Sequence, residues 1–129
     1  MAAWKGHFDG KGSPTLPISV EVPSLALLKF EAIVDTGFTG FLSLPLAVLY
    51  FFKDHIEGLQ NVTFADGTNS KLLEVIATVV IEDERIAGRA IIEPGGHEAI
   101  IGTEFLRTSN RGLIVFPGKN EILLPKDVI

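Results

Sequence analysis

The segment "AIVDTGFTGFL", residues 32 to 42, runs an apolar strand-like stretch straight into a carboxylate, Asp35, followed by Thr36 and Gly37. A carboxylate can take a proton from water or deliver one to a substrate oxygen. General acid–base hydrolysis by carboxylates alone works with a pair of them. One deprotonates the attacking water and the other holds a proton for the carbonyl oxygen. Two aspartates about 3 Å apart cannot both ionise, so they share a proton across neutral to acidic pH. The plainer reading of Asp35 is an aspartate that opens a turn after a strand. The other aspartates, Asp9, Asp54, Asp66, Asp83 and Asp127, lack the strand-then-Thr-Gly setting.

The elements that must hold such a site are mostly strands. "LPISVEV" (16 to 22), "LALLKFEAIV" (25 to 34) and "GFLSL" (40 to 44) read as strands. Pro45 is expected to open a short helix, "PLAVLYFFKDH", that stops near Gly58. "QNVTFADGTNSKLLEVIATVVIED" (60 to 83) carries a hairpin signal. Its Asp66-Gly67 pair is expected to form a two-residue primed turn. "IAGRAIIEPG" (86 to 95) is expected to pair back, "EAIIG" (98 to 102) to form a short buried strand, and "TEFLRTSN" (103 to 110) a short helix capped by Thr103. "GLIVFPG" and "EILLP" close the chain as a hairpin around Lys119-Asn120. Many strands and two short helices predict a mainly β barrel or sandwich. Residues 1 to 14, with Gly6, Gly10, Gly12 and Pro14, read as a flexible N-terminal arm, and 15 to 129 as one domain.

An internal repeat links two of these elements. "EAIVDTGF" (31 to 38) and "EAIIGTEF" (98 to 105) share five of eight residues, and Val34 matches Ile101 conservatively. Asp35 stands against Gly102. A pseudo-twofold domain would bring the two turns together, with Gly102 making room beside Asp35. Two β strands with similar needs could also match by coincidence.

Composition narrows the function classes. The net charge is −5 and the eleven Lys and Arg are scattered, so there is no basic footprint for nucleic acid. There is no cysteine, and His7, His55 and His97 lack metal-ligand spacing, so no metal is expected. The most apolar run, "FLSLPLAVLYFF" (41 to 52), is too short to span a bilayer and contains Pro45. No basic face accompanies it, so a core helix is expected rather than a membrane-surface one. The N-terminus shows no apolar h-region, so no signal peptide is expected and the chain reads as cytoplasmic. With 47% hydrophobic residues, apolar surface is available for a partner subunit.

Asp35-Thr36-Gly37 behind Ile33-Val34, a glycine-tipped hairpin at Ala65-Asp66-Gly67-Thr68, then Ile100-Ile101-Gly102 before a helix, is an ordered set. It resembles the retropepsin-like (retroviral-type) aspartic proteases, and among them the bacterial single-domain relatives, over about residues 16 to 125. The resemblance implies a closed or partly closed β-barrel, pseudo-twofold within the monomer. It implies that Asp35 is the catalytic carboxylate and that Thr36 and Gly37 build its loop. Phe38 would pack near substrate. Ala65, Asp66, Gly67 and Thr68 would form the tip of a flap over the substrate, and Ile100, Ile101 and Gly102 would support the loop. It implies a peptide substrate, apolar side chains flanking the scissile bond, and no cofactor. With one Asp-Thr-Gly per chain, the second carboxylate would come from a second copy, as a C2 homodimer provides. The chain departs from the retroviral pattern where "FTGFL" replaces Ala and acidic residues, and where Thr103 replaces an arginine that commonly pairs with one of those acids. The alternative is a non-catalytic dimerisation or peptide-binding module on the same fold. A pure binder has no need to set two carboxylates face to face.

Overall fold

A computed structural model describes residues 3–63 and 66–127. The alternating apolar residues Leu16, Ile18, Val20 and Val22 are all buried, and this period-two pattern makes a strand with one core face. The strands in chain order are β1 (Trp4–Phe8), β2 (Pro14–Glu21), β3 (Leu27–Val34), β4 (Leu42–Pro45), β5 (Ile56–Thr63), β6 (Asn69–Ile81), β7 (Glu84–Glu93), β8 (Ile100–Ile101), β9 (Ile114–Phe116) and β10 (Glu121–Leu124). Two short α-helices, α1 (Leu49–Phe52) and α2 (Thr103–Ser109), join them.

Six strands close a barrel in the order β6-β7-β4-β8-β3-β2, and pairing of β2 with β6 seals the ring. The mainly β barrel expected from the strand count is therefore the architecture found. Closure removes the exposed edges that an open sheet would leave. Two extensions leave the ring. Among the described residues β5 pairs with β6 alone and forms an edge hairpin, while β1, β10 and β9 continue outward from β2. Within the barrel, Val20, Ala32, Leu42, Leu44, Val75, Val79, Ala90 and Ile101 are fully shielded from solvent. None of the helices in the described residues is long and apolar enough to cross a membrane.

Local expectations fail at four places, each with a physical cause. The expected flexible arm contains β1, because Trp4 buries its ring and Gly6 lets the strand cross between neighbours. A Cβ at Gly6 would overlap the Thr15 carbonyl oxygen and approach the Ile122 side chain. The helix expected from Pro45 is only a 3₁₀ turn at Leu46–Val48 followed by α1. Pro45 itself stays extended (φ −70°, ψ 156°) at the end of β4. The last described β5–β6 pair is Thr63 with Asn69, so Asp66 and Gly67 do not directly join the paired strands. The two-residue turn is thus replaced by a wider loop with Gly67 at φ +86°. Finally, Thr103 is the first residue of α2 rather than its cap, and Gly102 occupies the capping position in extended backbone.

Candidate active site

The candidate site begins with the repeat. β3 and β8 pair in parallel, Ile33 opposite Ile100 and Val34 opposite Ile101. These are the positions that the two copies share, so the repeat units lie side by side in register. The Ile33 N–H donates to the Ala99 carbonyl and the Asp35 N–H to the Ile101 carbonyl, both at 2.9 Å. Val34 and Ile101 are buried beneath, so Asp35 leaves the barrel from a fixed point.

The loop after Asp35 is fastened by backbone groups. The Gly37 N–H donates to Asp35 Oδ1 at 2.8 Å, which sets the carboxylate's orientation. The Phe38 N–H donates to the Asp35 carbonyl at 3.1 Å. The Thr103 N–H then donates to the Phe38 carbonyl at 2.9 Å and the Glu104 N–H to the Gly40 carbonyl at 3.2 Å. The first N–H groups of a helix have no intrahelical acceptor, so α2 spends two of them holding this loop. Backbone hydrogen bonds from Thr103 and Glu104 therefore brace the loop.

Gly102 makes this approach possible, though not as expected. A Cβ there would overlap the carbonyl oxygens of Gly40 and Phe38, and lie 2.7 Å from the Phe38 ring. The room it leaves is filled by the 38–40 backbone rather than by the Asp35 side chain. Gly102→Ala is expected to displace the loop from α2 and to cost about 1–3 kcal/mol, as overpacking does. Urea unfolding of the variant beside the parent measures this.

Asp35, Thr36 and Gly37 are exposed in the single chain. Thr36 therefore has no buried hydroxyl to satisfy within one chain. Phe38 is half-buried and borders a groove of about 650 Å³, within the usual range for ligand sites. Gly37 to Leu42 form one wall. The β5 residues Gln60, Asn61, Val62 and Thr63, with Gly88, Arg89 and Ile91 of β7 and Glu104 and Thr108 of α2, form the rest. The β5–β6 edge hairpin thus contributes to the groove through its first strand. Asp66, Gly67 and Thr68, expected as the flap tip, are not among its lining residues, and Ala65 lies outside the described residues. Arg89, Ile91 and Glu104 carried no motif of their own. The signal that could have found Arg89 and Ile91 is their i, i+2 spacing, which turns both to one face of a strand.

Asp66 organises the hairpin tip. Its Oδ1 accepts the Thr68 hydroxyl at 2.7 Å and the Thr68 N–H at 2.9 Å. These bonds, the hydroxyl first, hold its carboxyl below the usual value of 3.8. A lowered folded-state pKa stabilises above the unfolded value and loses that contribution as pH falls through the folded one. Thr68→Val is expected to move the Asp66 carboxyl midpoint upward toward 3.8, read by NMR titration of the carboxyl carbon.

No family model matches the chain, and no curated protein matches it. Solved structures do. A retropepsin-like aspartic protease from Rickettsia conorii superposes with a TM-score of 0.56 at 16% identity, covering 93% of this chain and 87% of that one. EIAV protease in complex with an inhibitor superposes with a TM-score of 0.57 at 15% identity, covering 84% of this chain and 98% of that one. The fold is retropepsin-like.

Proposed function

We propose that the chain is an aspartic endopeptidase of bacterial type that works as a C2 homodimer. Asp35 of each copy faces the other across the axis. One carboxylate takes a proton from a bound water, and the other protonates the scissile carbonyl oxygen. The two apparent pKa values would belong to the pair and not to either residue. Thr36 would brace the paired loops, Phe38 and the groove would receive substrate side chains, and Asp66 to Thr68 would cover the bound peptide with Ala65. No metal or cofactor takes part.

One observation carries this reading. The Asp35 carboxylate stands exposed, oriented by the Gly37 N–H, on a loop bonded to α2 and bordering a groove. An aspartate that merely opened a turn would not need a loop fixed on both sides. The dimer follows from the chemistry, because the other aspartates lie elsewhere. Asp9 and Asp66 already hold turns together through Ser13, Lys11 and Thr68 N–H groups.

The test is cleavage of a diverse peptide mixture, read by mass spectrometry from about pH 4 to 7, a range that spans the shared-proton form of an aspartate pair. The oligomeric state is measured in the same buffers. Cuts that vanish with Asp35→Asn establish the protease. A dimer that makes no cuts at high concentration favours instead the peptide-binding module or a very selective enzyme.

A further inference from the structure

We propose that the groove beside Asp35 selects a long substrate side chain ending in a carboxylate or amide, glutamate before glutamine, and that Arg89 is the specificity-determining residue. The inference rests on the groove's being the substrate cleft of the proposed protease. It departs from a preference for apolar side chains alone.

The groove has an apolar floor and a polar rim. Phe41 and Ile91 lie largely buried in its floor, and Val62 adds a half-buried wall. Such a floor accepts an aliphatic stem. The rim holds two charged side chains, Arg89 and Glu104, and their remaining bonding capacity differs. Glu104 Oε1 accepts Arg107 Nη1 at 2.6 Å, and its Oε2 accepts the Thr108 hydroxyl at 3.3 Å. Both of its oxygens are engaged. The Thr63 hydroxyl is likewise committed, donating to Asn69 Oδ1 at 2.7 Å.

Arg89 is the opposite case. Its Nη1 donates to Glu74 Oε1 at 2.6 Å, while the side chain is 66% exposed. A guanidinium carries five N–H donors in a fixed fork, so an exposed Arg89 on the groove's rim keeps donors beyond the one given to Glu74. Glu74, at 13% side-chain exposure, holds the guanidinium in place and offers little surface to a ligand. The rim is therefore rich in donors, and a donor-rich rim recognises an acceptor. Lysine or arginine would have to compete with Arg107, which already pairs with Glu104. A leucine would leave the fork uncovered but unrewarded.

Length is set by the strand. Arg89 and Ile91 lie on the same face of β7, two residues apart, which is about 6.5 Å along a strand. A side chain whose stem contacts Ile91 needs several carbons before its oxygens reach the guanidinium. Glutamate and glutamine span that gap better than aspartate or asparagine.

The experiment measures binding, so that it does not depend on turnover. A positional-scanning peptide library is equilibrated with the Asp35→Asn protein, and bound peptides are identified. Glutamate, then glutamine, is expected to be enriched at one position, about fivefold to tenfold over leucine, the size of one exposed charge-assisted hydrogen bond. In Asp35→Asn/Arg89→Gln, which keeps a donor for Glu74, the enrichment disappears. In Asp35→Asn/Arg89→Lys, which keeps the charge without the fork, part of it returns. A merely structural role for Arg89 would weaken all peptides alike and leave the ratio unchanged. Absence of glutamate enrichment, absence of any bound peptide, or an enrichment that survives Arg89→Gln overturns the inference. Cleavage by the parent protein is scored separately. A glutamate-selective binder that never cuts would sink the protease and keep the pocket assignment, while cuts without glutamate preference would do the reverse.

Discussion

Asp35→Asn is expected to abolish peptide cleavage, a loss of about 10²- to 10⁴-fold or more, with the fold unchanged. Asparagine is nearly isosteric, and its oxygen can still accept the Gly37 N–H that orients the parent carboxylate. It cannot exchange a proton with water or substrate. Because Asp35 is exposed in the single chain, no packing within that chain is lost. Unfolding midpoints of variant and parent should therefore agree closely at a dilution where the chains are single. The stronger form of the prediction uses mixtures. If each active centre needs one Asp35 from each copy, mixing parent and variant chains in equal amounts and letting subunits exchange leaves about a quarter of the dimers intact. Activity should then fall as the square of the parent fraction. A linear fall would show that one chain carries a complete centre, and the paired-carboxylate mechanism would be wrong.

The part of the site nearest Asp35 was legible because its logic is local. An apolar pair ending a strand recurs at Ile33-Val34 and Ile100-Ile101, and the two copies pair in register. Gly102 was legible as a space-maker, but what fills the space was not, since the answer is backbone from Phe38 and Gly40. The hairpin was legible as a hairpin. That Asp66-Gly67 would not join the strands directly was not, because Asp66 bonds to Thr68 and the paired strands stop at Thr63 and Asn69. The groove walls could not be read at all. Gln60, Arg89 and Glu104 come from β5, β7 and α2, so only the folded arrangement of these elements brings them to one groove, and no short window of sequence contains them together. The N-terminal segment was misread for the same reason. Its glycines look like a loose arm, while its partners, β10 at the other end of the chain among them, are remote.

That misreading has a large consequence. A chain begun at Thr15 is expected to lose its native fold, rather than to be activated by losing an inhibitory arm. β1 pairs with β10 from Trp4 to Gly6 and with β2 at His7 and Phe8, so its removal strips two neighbours of backbone partners. Trp4 is 1% exposed and packs on Phe105 of α2, with ring centroids 5.9 Å apart. The Arg111 guanidinium lies over its ring at 3.7 Å, and its indole N–H donates to Glu84 Oε2 at 3.1 Å. Arg111 itself is buried, bonded to the same Glu84 oxygen and to the Leu124 carbonyl. Deleting the tryptophan would uncover a half-satisfied cation and the outer side of Phe105, which packs in turn against Phe41 beside the Asp35 loop. Truncating a buried Trp alone costs about 3–5 kcal/mol, and small domains hold only about 5–15 in all. Trp4→Ala in the full chain should accordingly lower the unfolding midpoint sharply, and the Thr15 chain should show no cooperative transition by circular dichroism. Trp4 is the only tryptophan, so its emission reports unfolding of this corner directly. A Thr15 chain that melts cooperatively and cleaves peptides faster than the full chain would reverse the assignment and make residues 1 to 14 a removable inhibitor.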